Sequence, residues 1–207
     1  MMKTVTAMLV ALLVVTVSEA QTTSDNLVGY SKVTATGGQL SLVAVNFETG
    51  GLTVNDIFGD LPNLSTVYVW DKAANTYVSS TKGRAGFSPN PTLANGDAMW
   101  VLASGSSVHE IIVAGEVNTA AQTTNTVEGL DAIGYGYPVA VAFEDTSLSS
   151  QAPNLSTLNV WNGSGYNTYT KGRAGWGASA VTIGVSDGFW INSPSSFEWV
   201  EDRPFTF

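Results

Sequence analysis

The nine residues 62–70 read PNLSTVYVW, and the nine residues 153–161 read PNLSTLNVW, 91 positions later. KGRAGF at 82–87 and KGRAGW at 171–176 follow in the same order, 89 positions apart. Asp97 and Trp100 have counterparts in Asp187 and Trp190, and VAVNFE at 43–48 matches VAVAFE at 139–144. Several matched words in one order indicate an internal duplication. We therefore predict two tandem similar halves of about 90 residues each.

Within the matched words, apolar residues alternate with period two. Val67 and Val69 alternate with Tyr68 and Trp70, as a half-buried strand requires. Nine further segments are rich in β-formers: 27–35, 40–47, 76–80, 98–103, 108–113, 138–143, 166–169, 189–192 and 197–200. The one helical turn that we predict covers 54–58. The chain is therefore expected to be all-β, with an antiparallel sandwich or a barrel-like fold. The pattern does not decide between one shared core and two domains.

The spacing between matched words changes at two places. The first half holds extra residues within 48–60 and within 71–77, which indicates surface loops because loops absorb length changes at little cost. The stretch 118–126 (NTAAQTTNT) is uncharged and rich in Thr and Asn. We predict a first β repeat at 21–117, a linker at 118–126 and a second β repeat at 127–207.

The first 20 residues have the pattern of a cleaved signal peptide. A short start with Lys3 precedes the apolar run AMLVALLVVTV at 7–17, and SEA at 18–20 fits signal peptidase, which places cleavage before Gln21. The apolar run is about half of the roughly 20 residues that a bilayer requires. We expect export to the cell surface or the medium, with the periplasm as the alternative, and no membrane insertion.

Composition excludes several classes of chemistry. The 207 residues carry a net charge of −9, which disfavours nucleic acid as a partner. There is no Cys and a single His, His109, so thiolate and His-rich metal sites are absent and no nucleophile–base set is visible. We predict a non-enzymatic protein with no metal site and no cofactor.

The layout of the duplicated words resembles a group of secreted, duplicated all-β bacterial proteins of uncharacterised function. The pieces that carry this resemblance are NLVGY at 26–30, TVYVW at 66–70 and the Gly-aromatic pair Gly86-Phe87. Their second-half counterparts are TLNVW at 157–161 and Gly175-Trp176, while a clear NLVGY opening is missing there. The resemblance implies a secreted all-β protein of bacterial type and implies no activity.

The KGRAG words concentrate scarce positive charge at matched places. A ligand-binding interpretation has the arginines and a neighbouring aromatic ring holding an acidic sugar or the carboxylate of a partner. A structural interpretation has the glycines forming a tight turn and each arginine pairing with Asp97 or Asp187. The candidate ligand-binding residues are Lys82, Arg84, Phe87, Lys171, Arg173, Trp176 and Trp199.

The tryptophans divide into matched and unmatched positions. Matched spacing favours the protein core for Trp70, Trp100, Trp161 and Trp190. Unmatched Trp199 is expected to be exposed, as are Tyr135 and Tyr137 in the loop-like sequence GYGYP.

These observations together predict an exported, non-catalytic surface protein with a structural or adhesive role. Such a protein would associate through strand edges with itself or with other cell-surface components. The alternative is a carbohydrate-binding protein that uses the aromatic and Lys/Arg positions to hold glycans.

Overall fold

A computed structural model describes residues 27–177 and 181–206 of the protein. Antiparallel β-strands dominate this part of the chain. The predicted signal peptide at 1–20 lies outside these residues. The first seven strands are β1 (Val28–Thr36), β2 (Leu40–Ala44), β3 (Thr66–Asp71), β4 (Thr76–Gly83), β5 (Gly86–Ser88), β6 (Ala98–Leu102) and β7 (Val108–Glu116). The remaining strands are β8 (Gln122–Gly134), β9 (Val141–Ala142), β10 (Thr157–Trp161), β11 (Tyr166–Gly172), β12 (Gly175–Trp176), β13 (Thr182–Ile183) and β14 (Gly188–Asp202). The all-β prediction is confirmed.

Two helices interrupt the strands, α1 (Val54–Phe58) and α2 (Ser147–Gln151), with a 3₁₀ turn at Phe143–Asp145. The prediction for 54–58 is confirmed, whereas α2 was missed. The carboxylate of Asp56 accepts the Thr53 N–H at 2.8 Å and so closes the first turn of α1. This hydrogen bonding lowers the pKa of Asp56. Among the described residues, neither helix is long and apolar enough to cross a membrane.

The strands form two five-stranded sheets and two small ones. The first large sheet has the order β2-β6-β3-β4-β5, and the second has the order β8-β14-β10-β11-β12. The small sheets are the pairs β1-β7 and β9-β13. The sequences WDKAANTYV and WNGSGYNTY form the hairpins β3-β4 and β10-β11.

Alternation along the strands sends side chains to three clusters. Val67, Met99 and Val101 point to a core on one side of the first sheet, together with α1. Leu158 and Ile191 point to a second core beneath the second sheet. The opposite faces of both sheets meet in a third cluster, which we call the junction: Leu42, Ala44, Ala98, Trp100, Ala132 and Trp190. Both faces of each large sheet are therefore buried in part.

Three details of the sequence interpretation were wrong. The word at 43–48 begins in β2, whereas the word at 139–144 covers β9 and part of the 3₁₀ turn, so these words do not occupy equivalent places. In the sheets, Ala44 pairs with Ala98 and Gly134 pairs with Gly188, which makes Gly134 the counterpart of Ala44. Strand β8 begins inside the predicted linker 118–126, because its Thr-rich start pairs with the end of β14. The segments 189–192 and 197–200 are parts of this one strand β14, which is irregular between Ser193 and Phe197.

Candidate functional site

The two most closely matched words of the sequence meet in space in each half. The backbone N–H of Leu64 donates to the carbonyl of Lys82 at 2.9 Å, and that of Leu155 donates to the carbonyl of Lys171 at 2.8 Å. The turn 62–65 therefore lies against the turn 83–86, and the turn 153–156 lies against 172–175. We call these pairs of turns the first corner and the second corner.

Glycine explains part of the repeated KGRAG word. Gly83 pairs with Gly86 across a two-residue turn, and Gly172 pairs with Gly175 in the same way. Gly86 has φ of +105° and Gly175 has φ of +98°, values that L side chains rarely adopt. The last glycine of each word is therefore required by the hairpin turn.

The lysines of the corners are occupied by backbone carbonyls. The Lys82 ammonium donates to the carbonyls of Gly59 and Leu61, just beyond α1. The Lys171 ammonium donates to the carbonyls of Ser149, Ser150 and Ala152 at 2.8, 2.8 and 2.7 Å, around the end of α2. Burial lowers the pKa of Lys171. Both lysines satisfy carbonyls at the ends of helices, which is a structural role.

The aromatic residues of the corners also pack inward. Phe87 is buried in the first core, with 3% of its surface exposed. The Trp176 indole N–H donates to the Ser149 carbonyl at 2.8 Å, and its ring lies edge-on to Phe143 at 5.0 Å. Neither aromatic ring is therefore free to stack on a ligand in this arrangement.

The two arginines of the corners are exposed. Arg84 and Arg173 make no hydrogen bond or ion pair with any residue in 27–177 or 181–206. The expected pairing with Asp97 or Asp187 was wrong. Asp97 accepts the Ala94 N–H at 2.8 Å and Asp187 accepts the Gly184 N–H at 2.9 Å, so each closes its own turn before a strand.

The expectation of exposed aromatics at Trp199, Tyr135 and Tyr137 was also wrong. They are 4%, 1% and 0% exposed. The buried carboxylate of Glu201 accepts the Trp199 indole N–H at 2.7 Å and the Tyr135 hydroxyl at 3.3 Å. Burial, with the nearby Glu201, raises the pKa of Tyr135. Polar tips that find a buried partner allow these rings to enter the core.

The four matched tryptophans lie at the junction. Trp70 and Trp190 meet edge to face at 5.1 Å, and Trp100 and Trp161 do so at 5.0 Å. The Trp70 indole N–H donates to the Leu130 carbonyl at 3.1 Å. The Trp161 indole N–H donates to the Leu40 carbonyl at 3.2 Å. Trp100 and Trp190 are buried, and Trp70 and Trp161 are half-buried. These residues hold the two sheets together.

A groove of about 450 Å³ opens beside this junction, lined by residues from both halves. We call it the junction groove. One side presents Trp70, Lys72 and 94–98, and the other presents 122–125 and 131–134, with Trp199 also in its wall. Amide, hydroxyl and carboxylate groups predominate among these side chains.

The charged centre of the junction groove is Asp131 with Lys72. The Lys72 ammonium donates to Asp131 at 3.2 Å and to the Thr126 carbonyl at 3.1 Å, and Asp131 is 5% exposed. Burial raises the pKa of Asp131, Lys72 counteracts this, and Asp97 adds to it. Burial also raises the pKa of Asp97, while the hydrogen bond from the Ala94 N–H and the charge of Lys72 lower it in part. The two carboxylates therefore share one ammonium group in a partly buried site.

Amide groups extend this polar surface. Asn95 Nδ2 donates to Glu48 at 3.0 Å and to the Gly136 carbonyl at 3.0 Å, and Asn118 Nδ2 donates to Glu48 at 2.9 Å. The side-chain oxygen of Asn95 is buried and receives no hydrogen bond from the described residues. A buried acceptor without a donor is costly, and the two bonds donated by the Asn95 amide nitrogen hold the side chain in this position.

A second groove of about 400 Å³ lies on the other side of the junction and is differently lined. Ser41 stands there at the place equivalent to Asp131, and Val185 stands at the place equivalent to Asn95. The unmatched residues, rather than the repeated words, thus distinguish the junction groove. The sequence patterns did not predict Lys72, Asn95 and Asp131 as site residues. What could have indicated them is that the two halves differ at these places, including the longer hairpin that contains Lys72.

The arrangement is suited to binding. Among residues 27–177 and 181–206, no three His, Asp or Glu side chains are placed to hold a metal ion. The junction groove instead offers the carboxylates of Asp97 and Asp131 and the ammonium group of Lys72, with amide and hydroxyl side chains at 122–125. Comparison of the chain with protein-family models, with curated proteins and with solved structures finds no match.

Proposed function

We propose that this chain is a non-catalytic, exported binding protein whose junction groove holds a polyhydroxylated ligand, a segment of a glycan. The observation that carries this proposal is the two-sided groove itself, in which the carboxylates of Asp97 and Asp131 and the ammonium group of Lys72 lie among amide and hydroxyl side chains. Sugars carry many hydroxyl donors, and a few well-placed polar groups fix the orientation of a ligand in a pocket. Export rests on the predicted signal peptide at 1–20.

The test is a glycan array followed by calorimetric titration of the best ligand. We expect Asn95→Ala and Asp131→Asn to weaken binding at least tenfold, because the first removes an amide group from the groove wall and the second removes the carboxylate charge. Ser41→Ala is the matched control, since it changes the equivalent place in the second groove and should leave affinity unchanged. Folding of each variant is checked by its melting temperature. Retention of full affinity in both groove variants would contradict the proposal.

A structural or adhesive role through self-association is the second candidate. It is favoured by the outer face of β1-β7, where Val28, Tyr30 and Ile112 are 69%, 74% and 49% exposed on nine-residue strands. Each large sheet ends on one side in a short strand, β5 or β12, and on the other side in β2 or the 13-residue β8. The contact that we propose for association is the exposed apolar face of β1-β7.

Light scattering of the chain 21–207 over a hundredfold concentration range tests this second role. Growth of the molar mass with concentration supports it, and Tyr30→Thr with Ile112→Thr should then restore a smaller species. A mass that stays at one monomer over the whole range would contradict it.

We also propose that the two halves are copies of one unit. The matching strand orders of the large sheets, the paired corners and the reciprocal Trp–carbonyl bonds support this proposal. The departures between copies, Asp131 against Ser41 and Asn95 against Val185, are then the places where one copy acquired a binding surface.

A further inference from the structure

Positive charge is scarce in this protein, and most of it has an internal partner. Five of the seven lysines and arginines within 27–177 and 181–206 donate to a carboxylate or to backbone carbonyls: Lys32, Lys72, Lys82, Lys171 and Arg203. The remaining two are Arg84 and Arg173, one at each corner. Both guanidinium groups are exposed and have no partner in the described part of the chain.

Each corner also exposes a leucine in an unfavourable backbone conformation. Leu64 and Leu155 are 75% and 72% exposed, and both have φ of +71°. They occupy the third position of turns closed by the N–H groups of Ser65 and Ser156, at 3.2 Å from the carbonyls of Pro62 and Pro153. Glycine or asparagine fits this position better than leucine. Packing does not explain the leucines, because most of each side chain is in solvent.

The leucine and the arginine of a corner belong to one surface. Leu64 is bonded through its N–H to Lys82, two residues before Arg84, and Leu155 is bonded to Lys171, two residues before Arg173. The lysine, glycine and aromatic residues of the same words have structural roles, as described above. In both corners, packing leaves two residues unexplained: an exposed leucine and an exposed arginine.

We propose that the two corners are equivalent binding sites for an acidic polysaccharide, a chain of uronic acid units. A guanidinium group binds a carboxylate with two parallel hydrogen bonds, and the leucine offers an apolar contact to the C–H face of the sugar ring. Two equal sites on one chain fit a ligand that repeats the same carboxylate along its length. This inference does not depend on the proposed function of the junction groove.

The net charge of −9 opposes a polyanion at long range. At physiological ionic strength the screening length is about 8 Å, so distant carboxylates contribute little while direct arginine–carboxylate contacts persist. Binding should therefore be measured near 0.15 M salt. Oligomers of galacturonic acid are the probe, and their methyl esters, which keep the ring and lose the charge, are the matched control ligand.

We expect the chain 21–207 to bind the oligomers and not their methyl esters. Arg84→Gln and Arg173→Gln should each reduce the stoichiometry from two sites to one, and the double variant should weaken binding at least tenfold, because a guanidinium–carboxylate contact is lost at each corner. Lys32→Gln, which removes an exposed lysine away from the corners, should have no effect. Leu64→Asn with Leu155→Asn should weaken binding without unfolding, since asparagine tolerates the left-handed conformation.

Several results would overturn the proposal. One is failure of the wild-type chain to bind the oligomers, and another is equal affinity for the methyl esters. Equal affinity in the double arginine variant would also overturn it, as would equally strong binding of polyglutamate, which would point to any polyanion or to an acidic protein. Asp131→Asn separates the two proposals, because it should weaken ligands of the junction groove and leave the galacturonate oligomers unaffected.

Discussion

Replacement of Gly134 by alanine places a methyl group at a crowded contact between the two large sheets. A Cβ added at Gly134 would lie closer than 3.0 Å to the Cβ of Ala44, a separation that real Cβ atoms do not show. Ala44 has no rotatable side chain, so only a movement of β2 or β8 can relieve the contact. The φ of Gly134 is not in the left-handed region, so alanine meets no conformational barrier of its own.

The cost follows from the required displacement. Carbon atoms pack at about 3.5–4.0 Å, so the strands must separate by more than about 0.5 Å beside Trp70 and Trp190. Overpacking of this kind costs about 1–3 kcal/mol, and the lower entropy of the unfolded alanine chain returns about 0.5 kcal/mol. We expect Gly134→Ala to lower the free energy of unfolding by about 2 kcal/mol. For a chain of this size, this corresponds to a melting temperature lower by about 4–8 °C.

The matched change offers a rescue, because Ala44 is the counterpart of Gly134. Ala44→Gly alone should cost about 1 kcal/mol through backbone entropy and a lost methyl contact. In the double variant the methyl group moves to the other side of the same contact, so stability should return to within about 1 kcal/mol of wild type. Urea unfolding of the four proteins in this cycle measures a coupling energy, expected at about 2 kcal/mol.

Two outcomes would refute the reasoning. If Gly134→Ala unfolds at the wild-type urea concentration, the sheets do not meet closely at this point. If the two changes are additive, the added methyl group does not contact Ala44, and the destabilisation has another origin. A related cycle at Gly188 and Ala98 provides a further check, with a smaller rescue expected, because an added Cβ would lie 2.9 Å from the Ala98 Cβ and also 2.9 Å from the Leu42 Cγ.

Three further predictions concern the corners and the junction groove. Leu64→Gly should raise the free energy of unfolding by about 0.5–1 kcal/mol. The left-handed conformation costs leucine about 1–2 kcal/mol, and the greater backbone entropy of unfolded glycine cancels only part of this gain. Urea unfolding measures the change, and destabilisation would contradict the prediction. Lys171→Met should lower the free energy of unfolding by about 2 kcal/mol, because three hydrogen bonds to carbonyls are lost. Arg173→Gln should keep the free energy of unfolding within about 0.5 kcal/mol of wild type. Equal melting temperatures of the two variants would contradict this difference. Because burial raises the folded-state pKa of Asp97, its contribution to stability is complete below the unfolded pKa of about 3.9 and is lost as pH rises through the folded pKa. Asp97→Asn should therefore gain stability relative to wild type as pH is raised from 4 to 7, and a constant difference over that range would contradict the prediction.

Local pattern predicted the strands well and their partners poorly. Alternation at Val67 and Trp70 indicates a strand with two different faces, and the structure confirms it. The pattern typical of a half-buried strand did not show that the Trp70 face meets the other half, because a polar-tipped aromatic ring is compatible with solvent and with an interface alike. The Thr-rich start of β8 looked like a linker because its pairing partner, the end of β14, lies about 75 residues away in sequence.

The candidate site was predictable only in part. The repeated KGRAG words predict a site at the corners, yet Lys82 and Lys171 satisfy helix carbonyls there, whereas the two arginines are exposed. The junction groove had no local signal, since Lys72 and Asp131 are 59 residues apart and neither belongs to a repeated word. Tyr135 and Tyr137 were misplaced because GYGYP has the composition of a loop, whereas a buried carboxylate draws Tyr135 inward.

The sequence alone determined that the protein is built from β-strands, where its tight hairpin turns fall and which words repeat. These features depend on side-chain alternation and on glycine at positive φ, which are properties of a few adjacent residues. Only the tertiary structure decided that the two large sheets pack through their tryptophans, that Asp131 meets Lys72, and that each corner exposes both a leucine and an arginine. The physical reason is that burial, charge pairing and cavities depend on contacts between residues distant in sequence, for which a local pattern carries no information.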